Sequence, residues 1–127
     1  LVQQVKGPNT CILIDFHAES TEEKEALALY LDGSAAAVVG THTHIQTADE
    51  RILPKGTAYI TDIGMTGPVM SVIGSDPVIS IKRQLTQLPL KNQISDTPAA
   101  LNGVVVTIDS EKGLAKKIVR FSKEMGV

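Results

Sequence analysis

Tryptophan is absent from the 127-residue chain, and two phenylalanines and two tyrosines are its only large aromatic residues. Any core must therefore be filled by aliphatic side chains. A single cysteine, Cys11, excludes an internal disulfide. Its place in the apolar run Cys11-Ile12-Leu13-Ile14-Asp15-Phe16 predicts a buried, unreactive thiol. No apolar run approaches the length of a membrane span and no stretch reads as a signal sequence, so a cytoplasmic protein without membrane contact is expected. Basic residues form no cluster and the net charge is −2, so charge gives no argument for nucleic acid or an anionic surface as a partner. A hydrophobic content of 43% against 20% charged residues describes a folded globular chain, long enough for one core and too short for two ordinary domains.

Histidine is also scarce, with three in the chain, but none stands in an arbitrary place. The run Ala35-Ala36-Ala37-Val38-Val39 stops at Gly40 and continues Thr41-His42-Thr43-His44. In an extended segment alternate residues share a side, which predicts that His42 and His44 face one space. His17 follows the first apolar run. Between the two runs, Ser20-Thr21-Glu22-Glu23 is a capping box that opens a helix to about Leu31. A strand-helix-strand unit makes its two strands parallel and brings their carboxyl ends to the same edge. Open α/β sheets commonly carry their sites at that edge. One histidine alone is more often a surface or hydrogen-bonded core residue than a ligand. Three delivered to one edge argue for a metal centre, and neutral imidazole suits zinc, iron and manganese alike.

The rest of the chain reads as follows. Leu1 to Val5 resemble the end of a helix, and Lys6-Gly7-Pro8-Asn9 is a turn. Residues 10 to 16, apolar on both faces, fit a strand at the centre of a parallel sheet. Asp15 within it is either a partner behind a metal-bound imidazole or a residue of the solvated rim. Glu19, just before the helix, is explained by the helix dipole. Ala26, Leu27, Leu29, Tyr30 and Leu31 form the expected buried face of that helix, Glu22, Lys24 and Glu25 its wet face, and Asp32-Gly33 its exit. Residues 45 to 53 suggest a loop with a short strand, and residues 57 to 62 another strand. The following Gly64, Thr66 and Gly67 could cradle a phosphate. Asp76 and Pro77 open a second helix reaching about Thr86, with Lys82 and Arg83 expected to face water. A polar segment, residues 90 to 98, precedes a strand over 103–109. A turn at 110–113 and a returning arm over 114–122 complete a hairpin.

Three segments carry a resemblance to a known family. Asp15-Phe16-His17-Ala18-Glu19, Gly40-Thr41-His42-Thr43-His44-Ile45-Gln46-Thr47-Ala48-Asp49 and Thr61-Asp62-Ile63-Gly64-Met65-Thr66-Gly67 resemble the carboxyl-terminal half of the YmdB-type bacterial metallophosphoesterases, over essentially the whole chain. The resemblance implies an α/β fold, part of a four-layered α/β sandwich with a carboxyl-terminal β-hairpin. It implies a phosphodiesterase acting on phosphodiesters such as 2′,3′-cyclic nucleotides at a centre of two divalent ions, with iron, manganese or zinc as the metal. His17 and His42 would bind one ion and His44 the other. The family's remaining ligands and its proton-donating histidine belong to an amino-terminal half whose motifs are not found here. Residues 1–127 are therefore expected to form a single incomplete domain, inactive alone.

Elementary electrostatics supports the last point. Two divalent ions ~3.5–4 Å apart repel strongly and need an anionic bridge, which three neutral imidazoles do not supply. A different expectation, a non-catalytic interaction or dimerisation module, follows if the uncovered sheet face of an incomplete sandwich associates with another copy. An amidohydrolase-like site, also opened by His-x-His, would require a barrel of roughly 250 residues.

Overall fold

Residues 2–7 and 10–125 are described in a computed structural model of the chain. The elements run α1 (Val2–Val5), β1 (Leu13–His17), α2 (Thr21–Tyr30), β2 (Ala37–Thr41), β3 (Arg51–Ile52), β4 (Ala58–Ile60), β5 (Gly67–Pro68), α3 (Pro77–Thr86), β6 (Ala99–Asp109) and β7 (Leu114–Met125). The Thr10 amide donates to the Gly7 carbonyl at 3.2 Å, while Leu1 and, within the turn expected at 6–9, Pro8 and Asn9 lie outside the described residues.

Two sheets organise the chain, one of order β1-β2-β4-β3 and one of order β5-β6-β7. Strands β1, β2 and β4 are mutually parallel, with Leu13 opposite Ala37 and His17 opposite Thr41, so the strand-helix-strand expectation holds. The expectation of a central position for the first strand does not. β1 lies at the edge of its sheet, begins only at Leu13 and leaves Leu13 64% exposed. Cys11 accordingly precedes the strand and is exposed rather than buried, because among the described residues that edge has no second neighbour to cover it.

Alternation along β2 and β4 divides the core in two. Val38 and Tyr59 point to one face and pack with Ala28, Leu53, Ile14 and Leu31, placing α2 on that side. Ala37 and Ala58 point to the other and meet Ala115, Val106 and Ile118 of the β6–β7 hairpin. Full burial of a side chain such as Val38 or Tyr59 stabilises by about 1.5–3 kcal/mol. The small alanines let the second sheet approach closely, and the Ala115 amide donates to the Gly56 carbonyl at 2.9 Å to pin it there. The hairpin is longer than the sequence suggested at both ends, and its register shifts at Thr107/Ile108.

Helix α2 starts as its capping box requires, Ser20 Oγ accepting from the Glu23 amide at 3.2 Å. Its buried side is the expected one only in part, with Leu31 packing against the core and Leu27 half-buried. Tyr30, Leu29 and Ala26 are exposed, whereas Ala28 and Lys24 are fully buried. The cationic head of Lys24 has a partner inside the fold, Asp62, at 3.2 Å, and a long aliphatic stem packs as well as an apolar side chain when its head is satisfied. Helix α3 is capped by Asp76 Oδ1, which accepts from the Ile79 amide at 2.9 Å, with Pro77 at its first turn. Arg83 on that helix turns back to the Leu90 carbonyl at 3.0 Å instead of facing open water.

Candidate functional site

The parallel arrangement delivers His17 at the end of β1, His42 just beyond β2 and Asp62 just beyond β4 to one sheet edge. His17 and His42 meet there. His42 Nδ1 lies 3.2 Å from His17 Nε2, with the rings edge to face and their centroids 5.1 Å apart. Metal–imidazole bonds are about 2.0–2.1 Å long, so two nitrogens on one tetrahedral or octahedral ion stand about 2.9–3.4 Å apart. The observed separation fits two donors to a single ion.

The tautomer of His17 follows from its neighbours. The Thr41 hydroxyl donates to Asp15 Oδ1 at 2.9 Å, so its oxygen accepts from His17 Nδ1–H at 3.1 Å. Nε2 is then the unprotonated nitrogen, and it accepts from His42 Nδ1–H, whose proton a metal ion shared by the two rings would displace. Asp15 thus stands behind His17 through a hydroxyl, as the carboxylate partner of a ligating imidazole does. Both rings are open to solvent.

His44 turns to a different partner. The backbone leaves the extended conformation at Thr41, with φ of 140° at His42 and 66° at His44, so strand alternation ceases where the sequence reading relied on it. His44 Nδ1 instead donates to the Ile73 carbonyl at 3.0 Å, which leaves Nε2 as its free lone pair. Ile73 itself sits at φ 47°, a costly conformation for a β-branched residue. His44 borders a small cavity of about 230 Å³ whose walls include Gln46, Gly67, Ser71 and Asn102. Among the described residues no group of three His, Cys, Asp or Glu is assembled that could hold a metal. The chain thus brings two imidazole nitrogens together and ties the third ring to the Ile73 carbonyl.

The glycine turn behaves differently from a phosphate cradle at one of its three positions. The Gly64 amide is engaged by Asp62 Oδ1 at 2.9 Å, and a Cβ there would come within 2.9 Å of the Gln46 amide nitrogen. Gly64 therefore serves to turn the chain at φ 77° and has no amide to offer a ligand. Thr66 is exposed, and Gly67 lies in β5. Glu19 is exposed and enters no ligand group.

Sequence reading missed Thr41, the Ile73 carbonyl and above all Asp62. Asp62 accepts from the Thr43 amide at 2.8 Å, the Gly64 amide and buried Lys24, while its own amide donates to Thr47 Oγ1 at 3.0 Å. Burial pushes its carboxyl up, but the amides of Thr43 and Gly64 and the bond from Lys24 outweigh that and hold it below the usual carboxylate range. One signal was available: Lys24, Ala28 and Leu31 are spaced to share a helix face.

The profile of a family described as YmdB-like protein matches residues 1–121. A 2′,3′-cyclic-nucleotide 2′-phosphodiesterase of Bacillus subtilis is 58% identical over 120 residues, covering 94% of this chain and 46% of the relative. A crystal structure of a hypothetical protein from Thermus thermophilus superposes with a TM-score of 0.87 at 39% identity, over 97% of this chain and 48% of the other. That of a novel phosphatase of Mycoplasma pneumoniae gives 0.82 at 42% identity, over 87% and 40%. The chain spans less than half the length of the relatives it matches.

Proposed function

The chain belongs to the YmdB-like family, and from that membership we propose that it supplies three histidine ligands of a phosphodiesterase acting on 2′,3′-cyclic nucleotides or similar phosphodiesters. The observation that carries the reading is the 3.2 Å approach of His42 Nδ1 to His17 Nε2, supported by the name of the Bacillus subtilis relative. In this reading His17 Nε2 and His42 Nδ1 hold one divalent ion and His44 Nε2 holds a second, the metals being iron, manganese or zinc. Bound there, the ions would supply Lewis acidity and a water acidified for attack on phosphorus.

The chain's own residues orient these donors. Asp15 and Thr41 keep the proton on His17 Nδ1, and Ile73 keeps it on His44 Nδ1, so each ring turns a lone pair outward. Thr66 and Gly67, at the turn beside the His44 cavity, are the residues of the glycine segment left to meet a phosphate oxygen. The anionic bridge and the acid that protonates the leaving alkoxide come from polypeptide beyond these residues, consistent with the 46% of the relative's length that the chain spans. The complete fold would be the four-layered sandwich.

Hydrolysis of 2′,3′-cyclic AMP, measured with Mn²⁺ or Fe²⁺, tests this. The full-length protein should turn over, His42→Ala should lower kcat by at least about a hundredfold, and residues 1–127 alone should be nearly inactive. Comparable turnover by the isolated chain would refute the division of ligands, and full activity in the His42 variant would refute the site.

A further inference from the structure

We propose that Lys24 and Asp62 act as positioning residues, a buried ion pair that fixes the backbone between His42 and His44 and thereby the direction in which the two imidazoles face. Their side chains are 0% and 1% exposed and 3.2 Å apart. Removing two charges from water is costly, and the mutual attraction of a buried pair often does no more than offset that cost. Net stabilisation is therefore a poor reason for the pair to be there. Its geometry supplies a better one.

Thr43 lies between two residues held in unfavourable backbone conformations, with φ of 140° at His42 and 66° at His44. Such strain persists only where the surroundings over-determine it. The Thr43 amide is held by Asp62 Oδ2 at 2.8 Å, the same oxygen that receives Lys24 Nζ. The other oxygen holds Gly64, and the Met65 amide one residue on donates to the His44 carbonyl at 3.2 Å. Asp62 thus joins the histidine loop to the segment after β4, and the ammonium group keeps that carboxylate charged and aimed.

The route taken by Lys24 is also built into the sheet. A Cβ at position 40 would meet Lys24 Cδ at 2.9 Å, so the stem passes over a residue with no side chain. Gly40 is immediately followed by Thr41 and His42. The lysine thereby reaches from helix α2, on one face of the sheet, to the strand ends that carry the site.

The consequence for metal binding rests on the reading of the histidines given above, whereas the positioning itself does not. Three variants of the full-length protein test it: Lys24→Met, Asp62→Asn and the double variant, in which no charge is left stranded. Hydrogen exchange should quicken at least about tenfold at the Thr43 amide in all three relative to Val38 in the core, and Co²⁺ affinity should fall about 10–100-fold, as for other supports of ligating residues. Two results would overturn the proposal: Thr43 and Val38 quickening in parallel, or the double variant regaining wild-type Thr43 protection and Co²⁺ affinity. If the unmodified protein binds no Co²⁺, the metal reading fails and the exchange ratio alone decides the positioning claim.

Discussion

At the scale of single residues, the fold makes much use of short polar side chains that tie loops to strand ends. Asp49 is the clearest case outside the Asp62 network. Its carboxylate accepts from the Thr47 hydroxyl at 2.6 Å, the Thr61 amide at 3.2 Å and the Thr61 hydroxyl at 2.5 Å. Burial pushes its pKa up, but these hydrogen bonds outweigh it and hold the group below the usual carboxylate range. A carboxylate with a folded pKa below its unfolded value of about 3.9 contributes stability above that value and loses it as pH falls through the folded pKa. Urea midpoints at pH 7, 4 and 2 should therefore converge between the wild type and Asp49→Asn as pH falls, the wild type losing more. Parallel curves would show that Asp49 has no such linkage. None of this was legible in advance, since Thr47, Asp49 and Thr61 carry no periodicity and meet only through tertiary folding. His17 and His42 were legible, because each ends an apolar run and the helix between those runs dictates where the runs end. For His44, two positive φ angles break the alternation on which its expected direction rests, and its Nδ1 bonds to the Ile73 carbonyl.

At the scale of elements, the sequence patterns identified α2, α3, β2, β4 and the hairpin, and the capping residues Ser20 and Asp76 behave as their chemistry requires. The side that α2 buries differs from the expected one chiefly at Lys24, which is fully buried. A lysine reads as wet on any hydropathy count, and only a buried carboxylate on another strand reverses that. The β2–β4 contact imposes a second requirement that periodicity does not express. A Cβ at Gly40 would lie 1.8 Å from the Thr61 carbonyl oxygen and 2.9 Å from Lys24 Cδ. Backbone, unlike a flexible side-chain tip, has little room to give. Gly40→Ala should therefore cost about 2–4 kcal/mol and lower Tm by roughly 10 °C. Gly7→Ala, where the nearest atom is Thr10 Oγ1 at 3.4 Å, is the control and should change Tm little. An unchanged melting temperature for Gly40→Ala would mean that β2 and β4 can part without penalty.

At the scale of the whole molecule, the two sheets leave apolar surface without a partner among the described residues. Leu13, Ile14, Val39, Val104 and Val106 line an open groove of about 400 Å³ between the first sheet and the hairpin. Elsewhere, Val78, Ile81 and Leu85 of α3 are each more than half exposed. Surface of this kind favours association. Light scattering on residues 1–127 alone should report species larger than a monomer, and a monodisperse monomer at high concentration would count against both a homo-oligomer and an uncovered face. The α/β class and the parallel order of the site-bearing strands were readable from the chain. The extent of its uncovered surface was not, since that depends on which strand finds itself at the border of a sheet.

That border has a directional consequence. Strand β1 is hydrogen-bonded on one side, to β2, and its outer side presents a row of amides and carbonyls spaced for one more strand about 4.8 Å away. A newcomer running parallel to β1 would end level with His17 and deliver its next loop beside that imidazole. One running the other way would bring its beginning there instead. The polarity of whatever strand joins at this margin therefore decides whether the groups that complete the centre are carried at the outgoing or the incoming end of that strand.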